Sequence, residues 1–156
     1  MVALKIRGRV KRKEIVYMSI QKEQIKTCLE NANGFLNTAK NCMGTVAYCP
    51  AICLTNFGIA CELFLKAIAM QKNPDGQYSK KHLLADLINN LPEENRTEIE
   101  KRFNASGNSI KLEEFLRQSQ NLFVEWRYEF EQEKININVT ALEKFAETLK
   151  QYCAEI

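Results

Sequence analysis

The 156-residue sequence predicts an all-α protein, an up-and-down bundle of four to six helices, on three observations. Apolar residues recur every three to four positions in successive segments, the period of an amphipathic helix. Six glycines and three prolines are too few breakers for a β-sandwich or a disordered chain. No stretch alternates apolar with polar residues as a half-buried strand does, beyond a faint trace at the start of the chain. The length suits one domain with a single sizeable core.

The first helix is expected over 19–40, where Ile25, Cys28, Leu29, Ala32, Phe35, Leu36 and Ala39 share a face. The pattern loosens over 41–49, and Pro50 suits the first turn of a second helix over 50–72. That helix is apolar on nearly every side, which marks the element surrounded by the others. Residues 41–61 carry no charge and are long enough for a bilayer span. Gly44, Pro50, Asn56 and Gly58 dilute them, and Glu62 and Lys66 follow at once. The reading is therefore a buried core helix in a protein with no membrane partner.

Asn73-Pro74-Asp75-Gly76 is a turn signal, after which Ser79 caps a third helix over 80–90. Pro92, Glu93 and Glu94 open a fourth over 92–104, where proline is tolerated and acids complement the helix dipole. Residues 104–108 break it, and a long fifth helix runs from Ser109 or Ile110 to Gln132. Its apolar series is Leu112, Phe115, Leu116, Leu122, Phe123, Trp126 and Phe130. A short extended connection over 135–139 leads to the capping box Thr140-Ala141-Leu142-Glu143 and a sixth helix over 141–153.

The net charge of +3 is unevenly divided. Residues 1–17 hold six basic side chains against Glu14, a net of +5, whereas the other sixteen Lys/Arg and eighteen Asp/Glu come to −2. The chain thus divides into a basic arm, 1–17, and a single helical domain, 18–156. The arm reads as a disordered tail or an upstream extension with Met18 as the true start, and it has the charge to bind phosphate backbones. The domain has no overall nucleic-acid signature. Of the six cysteines, Cys49, Cys53 and Cys61 are spaced as small buried apolar residues on a helix. With no Cys-x-x-Cys and one histidine, reduced thiols in a cytoplasmic protein without a metal or other cofactor are expected.

The residues that stand out chemically are charges on apolar faces. Arg127 lies among Phe123, Trp126 and Phe130, and a guanidinium cannot be neutralised there, so it demands an anionic partner. Glu62 interrupts the most apolar helix, and antiparallel packing of the two helices would join it to Arg127 as a structural ion pair. The alternatives are a solvated i,i+4 pair of Glu62 with Lys66 and an Arg127 that snorkels to the surface. His82, after Lys80 and Lys81 at a helix start, is either a neutral base or a core-edge capping residue. Tyr128 sits at the solvated edge of the fifth helix beside Arg127. No Gly-rich phosphate loop or nucleophile elbow occurs.

Three stretches, Cys61-Glu62-Leu63-Phe64-Leu65-Lys66-Ala67, Lys81-His82-Leu83-Leu84-Ala85-Asp86-Leu87 and Phe123-Val124-Glu125-Trp126-Arg127-Tyr128-Glu129-Phe130-Glu131, together with the helix order over 20–153, resemble the HEPN superfamily (higher eukaryotes and prokaryotes nucleotide-binding domain). The resemblance implies a helical bundle, often dimeric, found in toxin–antitoxin, abortive-infection and RNA-processing systems. Many members are metal-independent RNases that use an Arg followed, after four to six intervening residues, by a His on one long helix. Arg127 matches the Arg, but Gln132, Glu133 and Lys134 occupy the places of the His. None of them is a neutral-pH imidazole, so the resemblance is to a degenerate member.

Three readings follow. The first is a non-catalytic binding or assembly domain, homodimeric, associated with RNA, a nucleotide or a nucleotidyltransferase-type partner in toxin–antitoxin or phage-defence systems. Arg127, Tyr128, Lys80, Lys81 and His82 would contact the ligand. The second is an RNase with a composite Arg127/His82 site beside Glu62. The third is a purely structural helical interaction domain.

Overall fold

The structure is a computed structural model that describes the backbone of residues 2–44, 50–120 and 138–156, with side chains from Tyr17 onward. Among the described residues it is all helical. The elements are α1 (Val2–Met43), α2 (Pro50–Lys72), α3 (Leu84–Asn89), α4 (Glu93–Ala105), α5 (Leu112–Gln118) and α6 (Val139–Glu155).

Helices α1 and α2 form the central antiparallel pair. Their cross-links run in opposite index order: Gln21 Nε2 donates to the Met70 carbonyl, the Cys28 thiol to that of Leu63, and the Cys53 thiol to that of Ala39. A thiol reaches a neighbouring backbone only where two helices approach closely. The small, fully buried Ala32, Ala39 and Ala60 permit that approach. Helix α6 covers another side of α2, and α3 a third. As its all-round apolarity implies, α2 is the enclosed element. It is long and apolar enough to cross a membrane, yet most of that apolar stretch is buried by its neighbours.

A second centre of the core joins α4, α5 and α6. Phe103, Phe115 and Phe145 stack with ring centroids 5.2–5.7 Å apart. Offset and edge-on aromatic contacts of this kind fix relative helix positions as well as burying area. Beside Phe103 on α4, Arg102 donates twice to Glu155 and once to Glu98, and its guanidinium lies over the Tyr152 ring. Asn95 Nδ2 donates to the Tyr152 hydroxyl at 2.6 Å, completing a polar clip between α4 and α6.

Four boundaries differ from the sequence expectation. The first helix begins at Val2, not at 19. The third begins at Leu84, not at 80. Ser79 caps nothing; its Oγ accepts from Lys81 N, and its own N–H is taken up by Asn90 Oδ1. Asn90 also accepts from Asn73, and these two side chains hold residues 77–79 away from helical geometry. The fifth helix stops at Gln118, where Ser119 turns its hydroxyl back to the Phe115 carbonyl. The sixth is capped by Asn138, which accepts from Ala141 N, and not by Thr140. The turn at Asn73–Gly76 forms as read: Gly76 has φ +64°, and its N–H donates to the Asn73 carbonyl.

Candidate functional site

The late start of α3 decides the site. Because residues 77–83 are not helical, they pass along the outside of α2 and lay His82 against Glu62. Glu62 is buried, with 8% of its surface exposed, and one carboxylate oxygen serves two partners. Lys66 Nζ donates to Oε1 at 2.6 Å, one helical turn on, and His82 Nδ1 lies 2.9 Å from the same atom. A carboxylate can only accept, so the imidazole carries its proton on Nδ1 when neutral and has its basic lone pair on Nε2. The His82 side chain is 69% exposed whereas those of Lys66 and Glu62 are nearly covered. The result is a buried acid–ammonium pair that anchors an imidazole at the surface.

Around this core stand further groups. Lys80 and Lys81 are exposed beside His82, and Lys81 pairs with Asp86 of α3 at 3.2 Å. Tyr78 faces Lys66, whose ammonium lies 5.8 Å from the ring centroid. Lys66 and Tyr78 also line a groove of about 610 Å³ between α1 and α2, with Thr27, Cys28, Asn31 and Leu63. Burial pushes the Cys28 thiol up from its ordinary pKa, with the nearby Lys66 ammonium opposing the shift. Cys153, whose thiol donates to the Phe64 carbonyl of α2, is pushed up to about 12 by burial and by Cys28. These thiols are protonated at neutral pH, so neither is a ready nucleophile.

The residues singled out from sequence are thus partly assembled. Glu62 and His82 meet. The Glu62–Lys66 pair forms with the i,i+4 spacing, but it is buried and not solvated. His82 precedes its helix, so the argument from a helix N-terminus does not apply; the Glu62 carboxylate orients its ring instead. Arg127 and Tyr128 lie outside the described residues, and with them the proposed Glu62–Arg127 pair. Sequence reasoning missed Tyr78 and Cys28 as neighbours of Lys66. The one available signal was the Asn73–Gly76 turn, which returns the chain along α2 directly before Tyr78. Among the described residues no three His, Cys, Asp or Glu side chains gather as a metal-ligand set.

A family model described as HEPN domain matches residues 25–156. No curated protein and no solved structure matches the chain. The matched span takes in every element from the body of α1 to the end of α6, including Glu62, Lys66 and His82.

Proposed function

The chain belongs to the HEPN domain family, and we propose that it binds RNA through the surface around His82 without cleaving it. The observation that carries this reading is the Glu62–His82 contact. A buried carboxylate, itself satisfied by Lys66, orients an exposed imidazole beside the ammonium groups of Lys80 and Lys81. Orienting donors this way suits a phosphate: the two lysines supply charge-assisted hydrogen bonds, the ring adds one through Nε2 when it is an imidazolium, and the buried pair beneath them stays rigid.

Cleavage has a stricter requirement. Attack by a ribose 2′-hydroxyl needs a base for that proton and an acid for the leaving oxygen, both effective near neutrality. Histidine is the side chain suited to both roles, His82 is the chain's one histidine, and lysine and arginine remain protonated there. No histidine follows Arg127 at the spacing of the family's nuclease pattern. Binding therefore fits the chain better than turnover. In cellular terms this is a toxin–antitoxin or phage-defence component that works with a nucleotidyltransferase-type partner in the cytoplasm.

One observation favours a second reading. A carboxylate that fixes the imidazole tautomer is also the arrangement of a general base, so a nuclease with His82 as base and Arg127 on the phosphate is the alternative. Fluorescently labelled single-stranded and hairpin RNA, with EDTA present, separates the two. Anisotropy is expected to report binding, gels to report intact RNA, and the paired Lys80→Ala, Lys81→Ala variant to bind about tenfold more weakly with a shallower salt dependence. Cleavage lost in both His82→Ala and Glu62→Gln would establish the nuclease. Absence of any RNA binding would leave a purely structural domain.

A further inference from the structure

Helix α4 carries an arginine on its inward side. The fully buried Ile99 and Phe103 follow Arg96 by three and seven residues, the spacing of one helical face. Arg96 thus begins a row that continues into the core, and its guanidinium cannot shed its charge there. Its Nε–H is covered and has no hydrogen-bond acceptor, although Glu93 and Glu100 stand three before and four after it on the same helix. A covered donor of this kind costs free energy, and an anion that reaches it recovers the loss as a charge-assisted hydrogen bond.

Arg96 lines a cavity of about 540 Å³ where α3, α4 and α5 meet, a size in the ordinary range for ligand pockets. The floor is apolar, made by Ile88 of α3 with Leu112 and Leu116 of α5. Among the described polar lining residues Arg96 alone is half-buried; the others are exposed. Glu93, Glu100 and Glu113 make the rim acidic. Arg117, also on the rim, does not offset them, because Glu114 already holds it through two hydrogen bonds. No described lining residue is shared with Glu62, His82 or the groove beside Lys66.

We propose that this cavity receives the C-terminal end of a partner polypeptide. The terminal carboxylate lies on Arg96, an aliphatic last side chain on the floor, and preceding basic side chains against the rim. A terminal residue joins a carboxylate and an aliphatic group at one Cα, which matches a guanidinium set beside an apolar floor. The charges around it exclude other occupants. An acidic rim repels a phosphate backbone, so the cavity is no extension of the RNA surface. A free amino acid carries its ammonium next to its carboxylate and would press that cation on the guanidinium. A peptide bond removes that cation and lets basic groups lie further back, where the rim acids attract them. The chain's own terminus does not fit: Ile156 lines a different cavity with Met18 and Lys72, and an acid, Glu155, precedes it.

Calorimetric titration of the full chain with the peptide acetyl-lysyl-lysyl-alanyl-leucine tests the site. A Kd of about 10–100 µM is expected for the free acid, and binding about tenfold weaker for the C-terminal amide, which lacks the charge that Arg96 recognises. Arg96→Gln is expected to bind acid and amide alike. The paired Glu100→Lys, Glu113→Lys variant is expected to lose about tenfold for this peptide and to gain for acetyl-glutamyl-glutamyl-alanyl-leucine. Equal binding of acid and amide by the native chain overturns the proposal, and that comparison needs no variant to fold. So does an absence of binding up to about 1 mM peptide, or an acid preference that survives Arg96→Gln.

Discussion

Glu62 shows how one buried carboxylate can serve folding and function together. Its two partners differ in accessibility: the Lys66 side chain is 12% exposed and that of His82 69%. Removing the carboxylate strands an ammonium in a covered site, and breaking a buried pair from one side typically costs about 3–5 kcal/mol. Chemical denaturation should therefore show Glu62→Ala destabilised by roughly 2–4 kcal/mol, and His82→Ala by under about 1 kcal/mol because its ring is largely solvated. The double variant Glu62→Ala, Lys66→Met should recover part of the loss; additive costs would mean the pair is not coupled. Gly76 is the second residue with a single-atom argument. At φ +64° a side chain is strained, and a Cβ there would strike the Gln21 amide that bridges to Met70. Gly76→Ala should lower stability by about 1–2 kcal/mol in the same assay, and an unchanged midpoint would mean that the turn relaxes freely.

At the scale of elements, the α4–α6 clip carries a pH signature. Arg102 holds the carboxyls of Glu98 and Glu155 below the ordinary glutamate value, chiefly through direct hydrogen bonds. A carboxylate depressed in the folded state stabilises fully above its unfolded pKa of 4.5 and loses that contribution as pH falls through the lower folded value. Thermal melts taken from pH 7 down to about pH 3 should therefore fall more steeply for the native chain than for Arg102→Gln. Parallel acid limbs would show that the clip adds nothing to folding. The three-phenylalanine joint beside it has no titratable group and should be indifferent to pH. Neighbouring elements are set by such side-chain devices as much as by propensity: Asn73 and Asn90 delay α3, Ser119 closes α5, and Asn138 starts α6.

For the whole molecule, the consequence is a body that folds around α2 and an α1 that reaches beyond it. A chain lacking residues 2–17 should melt within a few degrees of the full chain, because the described core runs from Ala32 to Tyr152. A truncated chain that melts far lower would mean the arm packs on its own domain. Far-UV circular dichroism of both should be dominated by helix; a substantial sheet signal would contradict the bundle.

What the sequence by itself determined is the part governed by local periodicity. The all-α class, the enclosed position of α2, the Asn73–Gly76 turn and the membership of the family were all legible, because apolar spacing and turn chemistry act within a few residues. Glu62 and His82 were legible as chemically odd residues for the same reason. Their meeting was not, since they stand twenty positions apart and touch only because two asparagines pin 77–79 and the chain stays non-helical through Leu83, inside the helix expected from 80. Lys66 was legible as a partner by spacing, but its burial depends on Tyr78 and α1 closing over it. Only the tertiary structure decided which charges are covered and which face water, because burial is a property of what the rest of the chain places alongside.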